Sequence, residues 1–398
     1  MNKMTVRDIE VRDKRVLVRV DFNVPLDEET GTISDDSRIQ AALPTIEYLI
    51  DQKAKVILCS HLGRPHGKVL EKLRMTVVAE RLSQLLQRQV RVTQDCIGSD
   101  VEQAVGELRG GDVLLLENLR FYPEEEKNDP AFAQALARLA EVYVNDAFGA
   151  AHRSHASISG VTEYLPAVAG LLMEREITTL DGILENPAHP FVALLGGAKV
   201  SDKVGMLENI MGKVDCLLIG GGMAAVFLKA KSYETGQSLV ETGSLGTAFD
   251  LMEQADAHGV RLLLPVDVVV ADKTGAEATV EVVRIEKIPP NMKILDIGPE
   301  TIESFREELK KSRTVFWNGP MGLYEIPQFA QGTRRIAWLL ASLKATTIIG
   351  GGSTAEAVIE MKLADKMSFV STGGGASLRF LGGRVLPGVE ALRNKEDG

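Results

Sequence analysis

Five short apolar runs in the second half of the chain each end in glycine, and this pattern constrains the fold more than any other feature. The runs are FVALLGG (191–197), DCLLIGGG (215–222), TVFWNGPMG (314–322), TTIIGGG (346–352) and MSFVSTGGG (367–375). Short apolar runs followed by a glycine turn are typical of buried parallel strands, which end at one shared edge of a sheet. Ligands of open α/β sheets bind at that edge, where glycine lets backbone N–H groups approach a phosphate closely. The second half is therefore predicted to bind a polyanion such as a nucleotide.

The first half has similar apolar runs, but their ends carry polar and basic side chains. These runs are VLVRVDFN (16–23), VILCSHLGR (56–64), VLLLENLR (113–120) and VYVNDAFGAAHR (142–153). The polar residues at or near the strand ends are Asp21, Asn23, Arg38, His61, Arg64, Arg120 and Arg153. Arginine binds carboxylate and phosphate bidentately, so several converging arginines suit a small ligand that carries both groups. The alternative for any single arginine is a surface ion pair.

The order of strand-like and helix-like segments predicts the fold class and the domains. Helical segments at 37–53, 75–88 and 130–141 alternate with the strands of the first half, which indicates βαβ units and a parallel sheet. We predict an α/β protein with two doubly wound parallel-sheet (Rossmann-like) domains joined by a helical hinge. The predicted parts are a first, anion-binding domain (1–170), an interdomain helix (171–186), a nucleotide-binding domain (187–378) with a β-hairpin at 265–285, and a tail (379–398) that docks back towards the first domain.

Composition narrows the class of protein. A chain of 398 residues exceeds the size at which one core stops growing, which favours two domains. Its net charge of −10 argues against binding to nucleic acid or to membrane surfaces. Three cysteines without a CxxC motif indicate a reducing compartment with the thiols in the core, and no apolar run is long enough for a signal or a membrane span. We therefore expect a cytoplasmic protein.

The usual phosphate-binding motifs are absent from the sequence. No GxxxxGK[ST] occurs, and no GxGxxG follows the first strand. In their place, Lys199 and Lys203 follow a glycine pair at a spacing of four, which predicts two ammonium groups on one face of a helix that begins here. The alternative is a solvated lysine pair. His152 and His155 resemble a metal pair, but no neighbouring residue completes a set and no zinc site is predicted.

Three further glycine clusters predict helix starts. Ser353 and Glu356 have capping-box spacing, which predicts a helix from Thr354 with Ser353 as its cap. The run 220–222 leads into an apolar segment suited to a flat ring such as adenine, and 373–375 is another predicted helix start near phosphates. Each cluster alone is compatible with a simple tight turn, and it is their shared position after strands that indicates a site.

A series of longer motifs resembles the phosphoglycerate kinase family from residue 4 to residue 392. The motifs are DFNVP (21–25), SHLGRP (60–65), ENLRF (117–121), NDAF (145–148), HRSHAS (152–157), GGAKV (196–200), WNGPMG (317–322) and STGGGAS (371–377). The resemblance implies a two-domain, hinge-bending, monomeric enzyme of glycolysis. Such an enzyme moves a phosphoryl group from 1,3-bisphosphoglycerate to ADP, which gives 3-phosphoglycerate and ATP, with Mg²⁺ bound on the nucleotide.

The resemblance also implies roles for individual residues. The implied substrate-binding residues are Asp21, Phe22, Asn23, Arg38, His61, Leu62, Gly63, Arg64, Arg120 and Arg153. The implied nucleotide-binding residues are Lys199, Lys203, Gly220, Gly221, Gly298, Asn318, Pro320, Glu325, Gly350, Gly351, Gly352, Ser353 and Thr354, with Gly373, Gly374 and Gly375 at a helix start near the phosphates. Arg38, Lys203 and Lys199 are the implied catalytic residues, because phosphoryl transfer needs charge stabilisation more than acid–base groups.

Two residues depart from the family's pattern. Ser353 stands where the family has aspartate, so the carboxylate that would face the metal is missing, and Arg379 stands where glutamate is common. No firm metal ligand is therefore assigned; Ser353 is a possible contact, with Mg²⁺ held mainly by the nucleotide.

Two other classes of protein share some of these features. A nicotinamide dehydrogenase also has glycine-rich strand ends, but its GxGxxG fingerprint and following acidic residue are not found. A non-catalytic, two-domain anion-binding protein would explain the arginines, but it would not need a second, glycine-lined half.

Overall fold

The computed structural model describes residues 2–397 and divides the chain into two compact units. Residues 2–178 together with 385–397 form the first unit, and residues 179–384 form the second. Each unit contains one six-stranded sheet in which all neighbouring strands are parallel. The predicted fold class, two parallel-sheet α/β domains, is confirmed.

The sheet of the first unit has the order β3-β4-β2-β1-β5-β6. Its strands are β1 (Arg15–Arg19), β2 (Lys55–Cys59), β3 (Val90–Val92), β4 (Val113–Leu115), β5 (Val142–Asn145) and β6 (Ala167–Ala169). Most strand residues are buried, as expected for a parallel sheet covered on both faces. The strand order reverses at β1, which pairs with β2 on one side and with β5 on the other. Such a reversal is where ligands of open α/β sheets bind.

The second unit combines a parallel sheet with a small antiparallel sheet. Its strands are β7 (Phe191–Leu195), β8 (Cys216–Ile219), β9 (Arg261–Leu263), β10 (Asp267–Ala271), β11 (Val280–Arg284), β12 (Lys293–Ile297), β13 (Thr314–Asn318), β14 (Thr346–Gly350) and β15 (Phe369–Val370). The parallel sheet has the order β15-β14-β13-β7-β8-β9, and the antiparallel sheet the order β11-β10-β12. Pairing of β10 with β11 confirms the predicted hairpin. The third strand, β12, was not predicted.

The four predicted helical segments all form helices, which begin within one residue of the predicted start and end one to four residues before the predicted end. They are α1 (Ser37–Asp51), α2 (Thr76–Leu86), α3 (Ser99–Gly106), α4 (Pro123–Glu126), α5 (Pro130–Ala137), α6 (Leu171–Glu185), α7 (Val204–Ile210), α8 (Gly221–Ala230), α9 (Leu245–Ala257), α10 (Pro299–Leu309), α11 (Gln331–Ser342), α12 (Gly352–Glu360), α13 (Gly375–Leu381) and α14 (Pro387–Glu390). Helix α5 begins with Pro130 after Asp129, whose side chain accepts a hydrogen bond from the backbone N–H of Phe132.

Helix α6 carries the boundary between the two units, which falls after residue 178. Its start is fixed by the buried side chain of Asp146, whose Oδ1 accepts hydrogen bonds from the backbone N–H groups of Leu172 and Met173 (2.9 and 3.2 Å). A Cβ on Gly170 would lie 2.1 Å from the same oxygen, so this position requires glycine. The cap therefore depends on a carboxylate and a glycine that approach each other closely.

The C-terminal segment from residue 385 packs within the first unit. Lys3 forms a bridge with Asn394, and the side-chain amide of Asn145 donates to the carbonyl of Gly388 (3.0 Å). Residues 379–381 instead belong to α13 in the second unit. The chain therefore leaves the second unit at residues 384–385.

Two further expectations concern the cysteines and the membrane. Cys59, Cys96 and Cys216 are unpaired and buried, which confirms their prediction as core residues, and burial raises the pKa of Cys59 and of Cys216 to about 12. Within residues 2–397, no helix combines the length and the apolar character that a membrane crossing requires.

Candidate functional site

The polar residues predicted in the first half lie beyond the carboxyl ends of parallel strands. Asp21 and Asn23 follow β1, His61 and Arg64 follow β2, and Arg153 follows β5. Arg120 follows β4, and Arg38 lies in the first turn of α1. Because parallel strands end at the same edge, these side chains lie along one edge of the sheet. We call Arg38, His61, Arg64, Arg120 and Arg153 the basic edge.

The loop after β2 is held in place by the buried side chain of Asn118. Its Oδ1 accepts hydrogen bonds from the backbone N–H of Leu62 (3.3 Å) and of Arg120 (3.1 Å), and its Nδ2 donates to the carbonyl of Leu62 (2.8 Å). Gly63 has a φ of +65°, and its N–H donates to Asn23 Oδ1 at 2.8 Å. The ends of β1, β2 and β4 are therefore joined by side-chain hydrogen bonds.

The charges of the basic edge are only partly compensated. Arg38 donates to Asp21 Oδ2 at 2.7 Å, and Arg120 lies 3.3 Å from Glu126 Oε1. Burial lowers the pKa of Arg120 and of Arg153, and the neighbouring guanidinium charges lower both further. Cations that destabilise one another in this way favour a bound anion.

His61 is neutral at this edge. Its ring is 3% exposed, and burial holds its pKa well below the usual range, with further lowering by the charges of Arg19, Arg120, Arg153 and Arg38. A neutral imidazole carries one N–H donor. It can therefore donate one hydrogen bond to an anion.

Two predicted substrate-binding residues have no side chain available to a ligand. Phe22 and Leu62 are 0% and 1% exposed, and both belong to the hydrophobic core of the first unit. The backbone N–H of Phe22 already donates to Ser60 Oγ. A contact of these two residues with a ligand would therefore use the backbone, since both side chains pack in the core.

Two residues that the sequence analysis missed lie directly behind the basic edge. Arg19 is 1% exposed in the central strand β1, and Glu125 is 0% exposed at the end of α4. The signal for Arg19 was present, because a charged residue inside the apolar run VLVRV of a central strand needs buried partners. Glu125 gave no such signal, since it lies among three consecutive glutamates.

In the second unit, several glycines of the strand ends pack against one another. A Cβ on Gly196 would lie 2.1 Å from the carbonyl oxygen of Pro320, and one on Gly319 would lie 2.3 Å from the carbonyl oxygen of Gly196. A Cβ on Gly221, whose φ is +60°, would lie 2.5 Å from the backbone nitrogen of Gly197. The ends of β7, β8 and β13 therefore approach backbone to backbone, so glycine here serves packing first.

The predicted arrangement of the two lysines is wrong. Helix α7 begins at Val204, so Lys203 precedes the helix and Lys199 lies in the preceding loop. The loop is drawn away from a helical path because the N–H of Gly197, at a φ of +80°, donates to Pro320. Lys199 is consequently exposed, whereas Lys203 is 7% exposed with its ammonium group 3.4 Å from where a Cβ of Gly197 would lie.

Lys203 has the electrostatics of an anion-binding group. Burial lowers its pKa, and Asp202 compensates only in part. Among the described residues, no carboxylate lies within 4.0 Å of its ammonium group. A buried cation without a close counter-ion is costly unless a ligand supplies the negative charge.

Helix α12 begins earlier than predicted. It spans Gly352–Glu360 with Gly351 as its N-cap residue at a φ of +94°, and no side chain caps it. The capping-box prediction for Ser353 is therefore wrong, because the left-handed glycine already turns the chain into the helix. Ser353 lies exposed in the first turn, and Thr354 Oγ1 accepts a hydrogen bond from the N–H of Gly319 (2.7 Å).

The starts of α12 and α13 adjoin each other and leave open space. Helix α13 begins after Gly374, as predicted, and a Cβ on Gly374 would lie 3.9 Å from the backbone nitrogen of Gly352. The buried Nδ2 of Asn318 points to this loop, 2.8 Å from where a Cβ of Gly351 would lie, and has no hydrogen-bond partner. Backbone N–H groups at helix starts and an unused amide donor favour an anionic group.

Two other predicted nucleotide residues have separate surroundings. A Cβ on Gly298 would lie 2.3 Å from the carboxyl carbon of Asp267. The two carboxylate oxygens of Asp267 accept hydrogen bonds from backbone N–H groups in the first turn of α10. Glu325 is exposed. Burial raises the pKa of Tyr324 to about 12, and the negative charges of Glu356, Glu360 and Glu325 contribute to this rise. Gly298 is thus required by the α10 cap, and Glu325 adds to a negative region beside α12.

These features define the class of protein as a two-unit α/β protein in which the carboxyl edge of one parallel sheet is basic and that of the other is rich in glycine. The comparisons with known proteins give the family. The family model described as phosphoglycerate kinase matches residues 6–384. The chain belongs to the phosphoglycerate kinase family.

The relatives match over essentially their whole length. A phosphoglycerate kinase of Moorella thermoacetica is 56% identical over 395 residues, covering 99% of this chain and 100% of the relative. One of Chloroflexus aurantiacus is 56% identical over 401 residues, covering 100% of both. Among solved structures, phosphoglycerate kinase from Coxiella burnetii superposes with a TM-score of 0.85 at 41% identity, and that from Pyrococcus horikoshii OT3 with 0.87 at 33%, each covering 98% of both chains.

The activity follows from this membership. The protein is a phosphotransferase of glycolysis that moves a phosphoryl group reversibly between 1,3-bisphosphoglycerate and ADP, giving 3-phosphoglycerate and ATP. Its substrates are therefore a phosphoglycerate and an adenine nucleotide. The dehydrogenase and the non-catalytic anion-binding protein are thereby excluded.

Proposed function

We propose that the first unit binds the phosphoglycerate at its basic edge. The observation that carries this assignment is a set of four arginines around a neutral histidine with too few carboxylates to compensate them. A phosphoglycerate presents a carboxylate, a hydroxyl and a phosphate, which match guanidinium forks and a single imidazole N–H. The proposed ligand contacts are the side chains of Asp21, Asn23, Arg38, His61, Arg64, Arg120 and Arg153, and the backbone of Phe22, Leu62 and Gly63.

The second unit is the proposed nucleotide-binding domain. The adjoining starts of α12 and α13, with the unpartnered Nδ2 of Asn318, suit phosphate groups. The glycines at the ends of β7 and β8 are the proposed contacts for the base. The proposed contacts are Lys199, Lys203, Gly220, Gly221, Gly298, Asn318, Pro320, Glu325, Gly350–Gly352, Ser353, Thr354 and Gly373–Gly375.

Arg38, Lys203 and Lys199 are the proposed catalytic residues. In the transition state, the transferred phosphoryl group carries charge on three oxygens, and its transfer needs in-line positioning more than a proton-transfer group. Arg38 is partly exposed and fixed by Asp21, while Lys203 is a buried ammonium beside a glycine loop. Such preorganised charges stabilise developing negative charge without having to rearrange.

Mg²⁺ is the proposed ion of the nucleotide substrate. Within residues 2–397, no group of three or more His, Cys, Asp or Glu could hold a metal ion by itself. Ser353 is exposed in the first turn of α12, and its side chain carries a hydroxyl rather than a carboxylate. The phosphates of ATP or ADP would therefore supply most of the ligands, with Ser353 as a possible contact. A cytoplasmic monomer is the form proposed for this glycolytic enzyme.

Replacement of Arg38 tests the assignment of the basic edge. We expect Arg38→Ala to lower the maximal rate about 10³-fold or more, the effect of removing an arginine that stabilises the transferred phosphoryl group. The matched control is Arg81→Ala, which removes a similarly exposed arginine paired with Asp36. Steady-state kinetics and circular dichroism are the measurements. An Arg38→Ala protein that recovers full rate at saturating substrate would limit Arg38 to binding.

A further inference from the structure

Arg19 connects the basic edge to a buried polar cluster. Its Nε donates to Ser157 Oγ at 2.9 Å, its Nη1 donates to the carbonyl of Val20, and its Nη2 lies 3.1 Å from His61 Nδ1. The residue is 1% exposed and lies in β1 between β2 and β5. All three nitrogens of its guanidinium group are therefore engaged inside the unit.

The contact with Arg19 determines the tautomer of His61. A guanidinium group has five N–H donors and no acceptor, so the nitrogen that faces it must accept. His61 Nδ1 is that nitrogen, and the proton of the neutral ring consequently resides on Nε2. The positive charges around the ring oppose its protonation, which leaves Nε2–H as its only donor.

The position of Arg19 is in turn fixed by Glu125. Ser157 donates its hydroxyl to Glu125 Oε1 at 2.6 Å and its backbone N–H to Oε2 at 2.9 Å. Burial would raise the pKa of Glu125, but His155, the charge of Arg19 and the bonds from Ser157 lower it overall. Glu125 is thus an ionised, fully buried carboxylate whose charge balances Arg19 through the Ser157 hydroxyl.

We propose that Arg19, held by Glu125 through Ser157, is a positioning residue that fixes His61 as the Nε2–H tautomer and thereby presents one hydrogen-bond donor to the phosphoglycerate. This inference rests on the proposed role of His61 in substrate binding. Arg19 itself needs no contact with the substrate, because it acts through the ring. A merely structural Arg19 would stabilise the unit without controlling the ring.

The test compares two variants with a matched control. Arg19→Met combined with Glu125→Gln removes both buried charges together, so that neither is left unpaired. Arg19→Lys keeps the positive charge but offers a single nitrogen in place of the planar fork. The control, Arg15→Met with Glu141→Gln, removes an exposed ion pair at the other end of the same strand.

Protonation of the His61 ring nitrogens is the measurement that distinguishes a positioning role of Arg19 from a purely structural role. Long-range ¹H–¹⁵N spectra of histidine-labelled protein without ligand should show Nδ1 unprotonated in the native protein and in the control. In the Arg19→Met/Glu125→Gln variant, which has no donor facing the ring, Nδ1 should gain proton occupancy, whereas Arg19→Lys, whose ammonium group also can only donate, should keep Nδ1 unprotonated. In the Arg19→Met/Glu125→Gln variant, KM for 3-phosphoglycerate should rise about tenfold, the value of roughly one hydrogen bond, while kcat changes far less.

The outcomes separate the inference from the proposed function. Native-like ring spectra in the Arg19→Met/Glu125→Gln variant would overturn the control of the tautomer by Arg19. A changed tautomer with an unchanged KM would overturn its positioning role in binding. His61→Ala provides the independent arm: if this variant kept the native KM, the proposed substrate contact of His61 itself would be wrong, whatever the spectra show.

Discussion

Lys203 and Lys199 differ in burial although they are four residues apart. Lys203 is buried with a lowered pKa, and Lys199 is exposed in the loop after β7. The sequence could predict that both lysines follow a glycine turn. It could not predict that the turn delays the helix until Val204, because the delay depends on a hydrogen bond from Gly197 to Pro320, far away in sequence.

Substitution of Lys203 should lower the activity and raise the stability of the protein. Lys203→Met removes a desolvated charge, so we expect the free energy of unfolding at pH 7 to rise by about 1 kcal/mol while kcat falls about 10²-fold or more. Lys203 binds its proton less tightly in the native state than in the unfolded chain. The contribution of Lys203 to the free energy of unfolding of the native protein therefore becomes more favourable as pH rises towards 10.5.

Urea unfolding at pH 7 and pH 9.5, with kinetics at pH 7, checks this expectation. Lys199→Met is the matched control for stability, because its side chain is already exposed. A Lys203→Met protein less stable than the native protein at pH 7 would show that the ammonium group has a compensating partner.

At the scale of elements, the start of α6 depends on a carboxylate with an unusual pKa. Burial raises the pKa of Asp146 from 3.8 to about 6, despite hydrogen bonds from the N–H groups of α6. The native state therefore binds this proton more tightly than the unfolded chain. The stabilising contribution of Asp146 is fully present below pH 3.8 and is lost as pH rises through about 6.

Asp146→Asn removes this dependence while keeping an oxygen that can accept the cap hydrogen bonds. We expect the stability of the variant relative to the native protein to rise by about 2.5 kcal/mol between pH 4 and pH 8. Urea denaturation at both pH values measures the difference. A constant difference between the two proteins would mean that Asp146 does not titrate in this range.

Helix α12 gives a second prediction at this scale. Because Gly351 rather than Ser353 caps the helix, Ser353→Ala should change the free energy of unfolding by less than about 0.5 kcal/mol, the usual effect at a surface position. Ser353→Asp places a carboxylate in the first turn of the helix and should strengthen the dependence of the rate on Mg²⁺. Denaturation and the rate as a function of Mg²⁺ concentration test both. If the alanine variant lost activity as completely as Arg38→Ala, Ser353 would be a direct catalytic ligand.

Most elements could be predicted from the sequence because their signals are local. Apolar runs marked β1, β2 and β7, and the Asp129–Pro130 pair marked the start of α5. Details that depend on distant residues could not be predicted. The two-residue length of β15, the third strand β12 and the buried contact between Arg19 and His61 all depend on tertiary packing.

For the whole molecule, the two proposed ligand sites lie on different units. In-line transfer requires the donor and acceptor oxygens to come together, so both ligands should be needed for the compact, reactive form. Small-angle scattering should show full contraction with 3-phosphoglycerate plus Mg²⁺ and nucleotide, and less with either ligand alone. Replacement of the nucleotide by NAD is the control. Full contraction with a single ligand would contradict the assignment of one site to each unit.

The return of the chain to the first unit has a consequence for biosynthesis. The second unit is one continuous stretch, 179–384, so every residue of its core has been synthesised before residue 385 is joined. The first unit begins earlier but is completed later, because Asn145 can contact Gly388, and Lys3 can pair with Asn394, only after residues 388 and 394 have been added. The order of completion during translation is therefore the reverse of the order of the units along the chain.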